Sequence, residues 1–280
     1  RSNQHAYGAD LLMLGSPWIA ALIAIFSWWF FTGIILLIVR RKDVAGATAH
    51  GASVVWGVPL LALGIFGAVI SAASLSVANI YLAFFSVLLI WGWIELAFLS
   101  GVITGPLRDP CPKSLRGWAR FRRAWQTVSH HEALLLCGLV LMAVIALDAA
   151  NPLGFWAYFI LFAARISAKL NLFFGVPRIN LEFIPQPLLH LSSYFKQGPV
   201  TVVFGLGVTG LSLVTAALGL ALFSASTVEA QIGHALLFAL CALATLEHWL
   251  MVIPLPDAKL WRWMLPTLST NTKTGQSHEL

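Results

Sequence analysis

Several ionisable side chains interrupt stretches of sequence that are otherwise strongly apolar, and these residues are the first candidates for chemistry. They are Glu95, the neighbours His131 and Glu132, the pair Arg165 and Lys169, and the neighbours Glu247 and His248. A charge inside a bilayer is costly, so such residues either pair with one another or serve a ligand. Their types are compatible with three kinds of site.

The first kind is a metal centre, because carboxylates and imidazoles from several helices bind iron and other divalent metals in helical bundles. The second is a pigment site, in which an imidazole such as His131 or His248 ligates the magnesium of a chlorophyll-type pigment. The third is structural: Arg165 and Lys169 form an ion-pair network with nearby carboxylates and fix the helix packing. The residue types leave these three alternatives open.

The spacing of these residues along the chain bears on the metal alternative. The Glu-x-x-His spacing of di-iron bundles is absent, because glutamate and histidine are adjacent in both pairs. Adjacent residues on a helix point about 100° apart, so both reach one site only if it is central. At about 1.5 Å per residue the carboxylates and imidazoles lie roughly 10–12 Å below the same membrane surface. We therefore expect groups from three helices to meet in the interior.

The elements that position these residues are membrane helices. The chain is 59% hydrophobic and only 10% charged, with a mean hydropathy of +0.84, too apolar for a soluble domain of 280 residues. A bilayer crossing needs about 20 apolar residues. The fold class predicted is all-α, a polytopic bundle of about seven transmembrane helices. Their predicted ranges are 16–39, 53–75, 78–103, 118–149, 152–174, 199–223 and 230–253, between a short terminus at 1–15 and a tail at 255–280.

The distribution of basic residues predicts the orientation of the bundle. Sixteen of the 17 Lys and Arg residues fall on one side when the seven segments are threaded through a membrane. Basic segments stay in the cytoplasm, so we expect a periplasmic N-terminus and a cytoplasmic C-terminus. The net charge of +6 is then a topological signal with some attraction to anionic membrane lipids, and it indicates no nucleic-acid partner.

Four separated motifs resemble one family of membrane proteins. They are the segment 91–106 (WGWIELAFLSGVITGP), Gly117-Trp118 with the later His131-Glu132, the segment 167–177 (SAKLNLFFGVP), and the segment 247–257 (EHWLMVIPLPD) with Leu260–Trp263. Together they resemble the photosynthetic complex assembly protein 2 (PuhE) family of phototrophic purple bacteria. The resemblance runs from the first helix to Trp263. It implies a multi-pass protein of the bacterial cytoplasmic membrane with a role in building reaction-centre and light-harvesting complexes.

The family's polar pattern is richer than that of this chain. The family has His-Glu where this chain has Ile94-Glu95, and Glu-Glu where it has Leu181-Glu182. It also carries a histidine where this chain has Pro187. His190 could replace that missing ligand and His130 could add another, although neither is at the family's position. The residues left as metal-ligand candidates are Glu95, His131, Glu132, Glu182, Glu247 and His248. The resemblance thus implies a divergent member with a reduced site.

These observations favour a non-enzymatic assembly factor or accessory subunit. It would contact reaction-centre or light-harvesting subunits through helix surfaces rich in small residues, such as Gly205–Gly210, and contribute to bacteriochlorophyll supply. The same small residues also suit packing within the bundle. The alternatives are a membrane metalloenzyme acting on a tetrapyrrole or another lipophilic intermediate, and a bacteriochlorophyll carrier.

Overall fold

The structure is a computed structural model that describes residues 14–254, and in this part of the chain it is all-α. Seven helices follow one another: α1 Pro17–Ala45, α2 Ala47–Ala72, α3 Val77–Leu99, α4 Gly117–Ala146, α5 Leu153–Phe174, α6 Val202–Ser224 and α7 Val228–Leu250. All seven are long and apolar enough to cross a membrane. The predicted seven-helix membrane fold is confirmed. The predicted terminal segments fall mostly outside the described residues.

Several helix boundaries differ from the predicted ones. Helix α1 continues past residue 39 to Ala45, because Arg40, Arg41 and Lys42 leave the apolar region without breaking the helix. It ends at Gly46, whose φ of 99° suits glycine, and α2 begins directly afterwards at Ala47 instead of residue 53. Helix α3 stops at Leu99 instead of residue 103, just before Gly101 with its φ of 71°. In α1 the first basic residues therefore mark the end of the apolar segment, whereas the helix itself continues to Ala45.

Helices α3 and α7 form the centre of the bundle. More than half of the α3 apolar stretch and half of that in α7 is buried, a larger share than in the other helices. The main hydrophobic core joins buried side chains such as Phe84 and Ile90 of α3, Tyr158 of α5, and Leu236 and Leu240 of α7. Helices α1, α2 and α6 keep long outward faces of exposed apolar residues. The bundle thus has a closed interior and an apolar outer surface.

The two ends of the bundle are built differently. At one end short turns connect the helices, and Asn151 ties them together by donating to the carbonyls of Ser71 and Asn79, both at 3.1 Å. The other end, which we call the basic end, carries the long loops 100–116 and 175–201. The second loop contains 3-10 helices at Leu181–Phe183 and Gln186–Tyr194. The Arg120 guanidinium donates to the Tyr194 and Phe173 carbonyls and fastens this loop to α4 and α5.

Candidate functional site

A buried ion pair joins α3 to α5 in the half of the bundle that adjoins the basic end. Arg165 Nη2 donates to Glu95 Oε2 at 2.5 Å. The Glu95 side chain is only 10% exposed, whereas that of Arg165 is 31% exposed. The carboxylate therefore lies behind the guanidinium and is neutralised by it.

A second ion pair joins α4 to α5 one helical turn further along. Lys169 Nζ donates to Glu132 Oε1 and lies 2.8 Å from His131 Nδ1. The Glu132 side chain is 5% exposed and that of Lys169 is 21% exposed, so the cation again covers the carboxylate. Arg165 and Lys169 are four residues apart and lie on one face of α5. One face of one helix thus neutralises carboxylates from two others.

His131 connects the two ion pairs. Its ring is fully buried and lies against Phe98, with ring centroids 4.1 Å apart. Nε2 is 3.8 Å from Glu95 Oε1, and Nδ1 is 3.7 Å from Glu132 Oε1. The His131 backbone N–H donates to the Thr104 carbonyl at 2.9 Å, which ties loop 100–116 to α4 at this point. These contacts combine α3, α4 and α5 into one polar network, which we call the ion-pair network.

His248 belongs to a separate neutral contact. Its Nδ1 lies 2.8 Å from the Ala244 carbonyl, and its Nε2 lies 2.9 Å from Ser167 Oγ. The fitting tautomer donates from Nδ1 and accepts the serine hydroxyl proton at Nε2. Asn171, one turn beyond Ser167, is fully buried, and a Cβ added to Gly207 of α6 would meet Ser167 Oγ at 2.3 Å. This contact therefore holds α5, α6 and α7 together.

The remaining two candidate residues lie apart from the ion-pair network. Glu247 on α7 is exposed, lines a cavity beside the network and lies within electrostatic range of Arg165. Glu182 is exposed in loop 175–201, where its backbone carbonyl accepts a hydrogen bond from Arg40. The structure thus brings Glu95, His131 and Glu132 together with both cations, and leaves Glu182 elsewhere.

A cavity of about 740 Å³ opens beside the network. Apolar and aromatic side chains from α1, α3, α4, α5, α7 and loop 175–201 line most of it, among them Trp28, Trp125, Phe173 and Leu246. Its charged lining residues are Arg165, Lys169, Arg178, Glu132 and Glu247. Its volume falls within the range of roughly 300–1,000 Å³ found for ligand pockets.

The contacts that these groups make with one another bear on the metal and pigment sites considered from the sequence, which stay predictions. Among the described residues no three His, Cys, Asp or Glu side chains converge as a metal site would require. Glu95 and Glu132 each hold a cation instead. Both ring nitrogens of His248 have partners, and His131 is fully buried behind Lys169. Neither imidazole offers a nitrogen to a pigment in the cavity.

Sequence reasoning missed three participants in this region. Ser167 and Asn171 carry no charge, so a search for ionisable residues does not find them. Their spacing of four residues, on a helix that also carries Arg165 and Lys169, was the available hint. Phe98 was also missed, although its ring faces Lys169 Nζ at 5.0 Å and Arg165 at 5.7 Å.

Comparisons with known proteins place the chain in a family. The family model described as "Protein of unknown function (DUF3623)" matches residues 14–272. The "Uncharacterized 30.4 kDa protein in puhA 5'region" of Rhodobacter capsulatus is 47% identical over 261 residues, which cover 93% of this chain and 95% of that protein. No solved structure matches the chain. With almost its whole length matched, this multi-pass membrane protein belongs to the DUF3623 family.

Proposed function

We propose that the chain is a non-enzymatic membrane factor that assists the assembly of bacterial photosynthetic complexes, or stays with them as an accessory subunit. Two sequence similarities support the photosynthetic setting. The first is the relative from the puhA 5' region, with nearly full-length similarity. The second is the set of motifs that resemble the photosynthetic complex assembly protein 2 family. The partners would be reaction-centre or light-harvesting subunits in the cytoplasmic membrane.

The main support for a non-enzymatic role is that the buried charges pair with one another. Arg165 and Lys169 neutralise Glu95 and Glu132, and His131 lies between the two pairs. In a membrane such pairing fixes how helices meet. A network of this kind gives the bundle a rigid core from which outer helices can be presented to partners.

The outer face of α6 is the best candidate for such a contact surface. Leu206, Leu213 and Leu220 recur every seven residues along it and are 65–73% exposed. Gly210 lies near this stripe, and a Cβ added there would meet nothing within 4 Å. Small residues beside exposed leucines let a second membrane helix approach closely. The segment 205–210 thus divides its glycines between this surface and the interior, where Gly207 packs against Ser167.

The metalloenzyme and the bacteriochlorophyll carrier receive less support from the geometry, because their candidate ligands hold one another. Both remain testable by metal analysis and an absorption spectrum on one gently solubilised sample. About one metal ion per chain, lost on His131→Ala, would favour the enzyme. Stoichiometric near-infrared pigment absorption would favour the carrier.

The test of the assembly role is co-purification from native photosynthetic membranes. A tagged chain is extracted in digitonin, and co-purifying proteins are quantified by mass spectrometry against an equally tagged, unrelated seven-helix protein. We expect reaction-centre or light-harvesting subunits to be enriched. Their absence at every detergent concentration, with the chain itself intact, would contradict the proposal.

A further inference from the structure

We propose that the cavity beside the ion-pair network binds a single-tailed anionic amphiphile, with its carboxylate or phosphate head at Arg165 and Lys169. This inference goes beyond the assembly role and does not depend on it. It rests on the charge pattern, the lining and the opening of the cavity.

The charge pattern of the cavity wall favours an anion. Three cations, Arg165, Lys169 and Arg178, line the cavity, against two carboxylates, Glu132 and Glu247. Glu132 is almost fully buried, and Glu95, the partner of Arg165, is not part of the wall. The paired carboxylates therefore lie behind the cations and hold them in place, while the exposed parts of the cations face the cavity.

Unused hydrogen-bond donors strengthen the argument. Only Nη2 of the Arg165 guanidinium donates to Glu95, and 31% of that side chain is exposed. Lys169 Nζ carries three hydrogens and contacts His131 Nδ1 and Glu132 Oε1. The two side chains are one helical turn apart, so a single head group can reach both. Charge-assisted hydrogen bonds of this kind are the strong ones.

The rest of the cavity suits a hydrocarbon tail. Phe98, Phe173 and Leu188 contribute apolar surface from α3, α5 and loop 175–201. The most exposed apolar lining residues are Ile25, Trp125 and Leu246, which belong to membrane-spanning helices. An opening lined by such residues admits a molecule dissolved in the bilayer more readily than a water-soluble one.

The experiment measures binding of cis-parinaric acid, a fluorescent fatty acid, to the full chain in dodecyl maltoside. Energy transfer from tryptophan reports occupancy, because Trp28, Trp29 and Trp125 line the cavity. The methyl ester of the probe is the matched ligand without a charge. We expect the acid to bind at least about tenfold more tightly than the ester, since only the acid carries a charge that can accept charge-assisted hydrogen bonds from the two cations.

Variants separate the head-group contact from the fold. The double variant Arg165→Gln with Glu95→Gln removes the cation and its partner together and leaves no buried charge unpaired. We expect it to weaken acid binding by roughly tenfold and to leave ester binding unchanged. Glu247→Gln removes a negative charge from the same cavity and adds an amide donor, so acid binding stays equal or becomes tighter.

A second pair of variants tests the location even if the charge variant fails to fold. Ala168→Phe narrows the cavity from α5, and Leu213→Phe places the same side chain on the outer face of α6. We expect the first to weaken binding of the probe and the second to leave it unchanged. Competition by oleate or by lysophosphatidate then identifies the head group.

Three results would overturn the proposal. The acid and the ester could bind the wild type equally, the Ala168→Phe variant could bind as the wild type does, or neither oleate nor lysophosphatidate could displace the probe. Each would show that an anionic head in this cavity is not what the protein recognises.

Discussion

Breaking the Lys169–Glu132 pair tests whether the ion-pair network stabilises the bundle. Lys169→Met keeps the length of the side chain and removes its charge, leaving Glu132, only 5% exposed, without its cation. Removing one partner of a buried ion pair costs about 3–5 kcal/mol, because the remaining charge is uncompensated. We expect a loss of that size for Lys169→Met. Glu132→Gln added to it should recover about 2–4 kcal/mol of that loss, and the coupling energy is at least as large, because Glu132→Gln alone leaves Lys169 without its carboxylate.

The measurement is a double-mutant cycle of unfolding free energies in mixed micelles, with circular dichroism as the signal for unfolding. His131 loses the same contact in Lys169→Met and in the double variant, so that cost cancels in the cycle. The matched control is Arg123 with Asp109, whose atoms are 3.8 Å apart and whose Asp109 side chain is 73% exposed. Such an exposed pair should couple by about 0–1 kcal/mol. Equal coupling in the two cycles would refute the stabilising role of the network.

Three further predictions concern packing, pH and orientation. Gly138→Ala should lower the free energy of unfolding by about 1–3 kcal/mol in a thermal unfolding assay, because its Cβ would lie 2.1 Å from the Tyr158 hydroxyl. Gly210→Ala, whose Cβ would enter open space, should cause no loss of stability. Equal effects of the two variants would contradict this packing. Burial lowers the pKa of His190 below its usual 6.5, so the unfolded chain binds more protons than the folded one. The free energy of unfolding should therefore fall as the pH drops below about 6.5. His190→Gln should reduce this pH dependence, and an unchanged dependence would count against the assignment. The thiol of Cys111 lies in loop 100–116 at the basic end. It should react with a membrane-impermeant maleimide in inside-out vesicles but not in spheroplasts, and Cys111→Ser is the control. The opposite pattern would reverse the predicted orientation.

Much of the fold followed from the sequence because membrane helices are selected by one simple requirement. A crossing needs about 20 apolar residues, and the seven long stretches between polar segments met it. The helix ends did not follow as well. Arg40–Lys42 mark where the chain leaves the apolar region, yet α1 keeps its backbone hydrogen bonds as far as Ala45. Hydropathy indicates whether a residue suits water or the apolar part of a membrane, whereas the end of a helix depends on the backbone conformation and hydrogen bonds.

The candidate site followed from the sequence only in part. An ionisable side chain inside a bilayer raises the free energy of the protein unless it has a partner. This cost made five residues noticeable in the sequence: Glu95, His131, Glu132, Arg165 and Lys169. Sequence did not tell which carboxylate meets which cation, since that depends on the rotation of α3 and α4 about their axes. It also grouped His248 with these residues on the basis of depth. Ser167, a neutral residue, holds His248 in a different contact.

Site-specific photocrosslinking in native membranes shows whether the chain contacts photosynthetic complexes through its outer helix faces, as we propose. A photoreactive amino acid replaces Leu22 of α1, Leu63 of α2 or Leu213 of α6, all exposed, with buried Leu236 of α7 as the control. We predict that at least one exposed position yields adducts with reaction-centre or light-harvesting polypeptides and that position 236 yields none. Adducts with lipid alone at all three exposed positions, in cells that are actively building these complexes, would contradict the account.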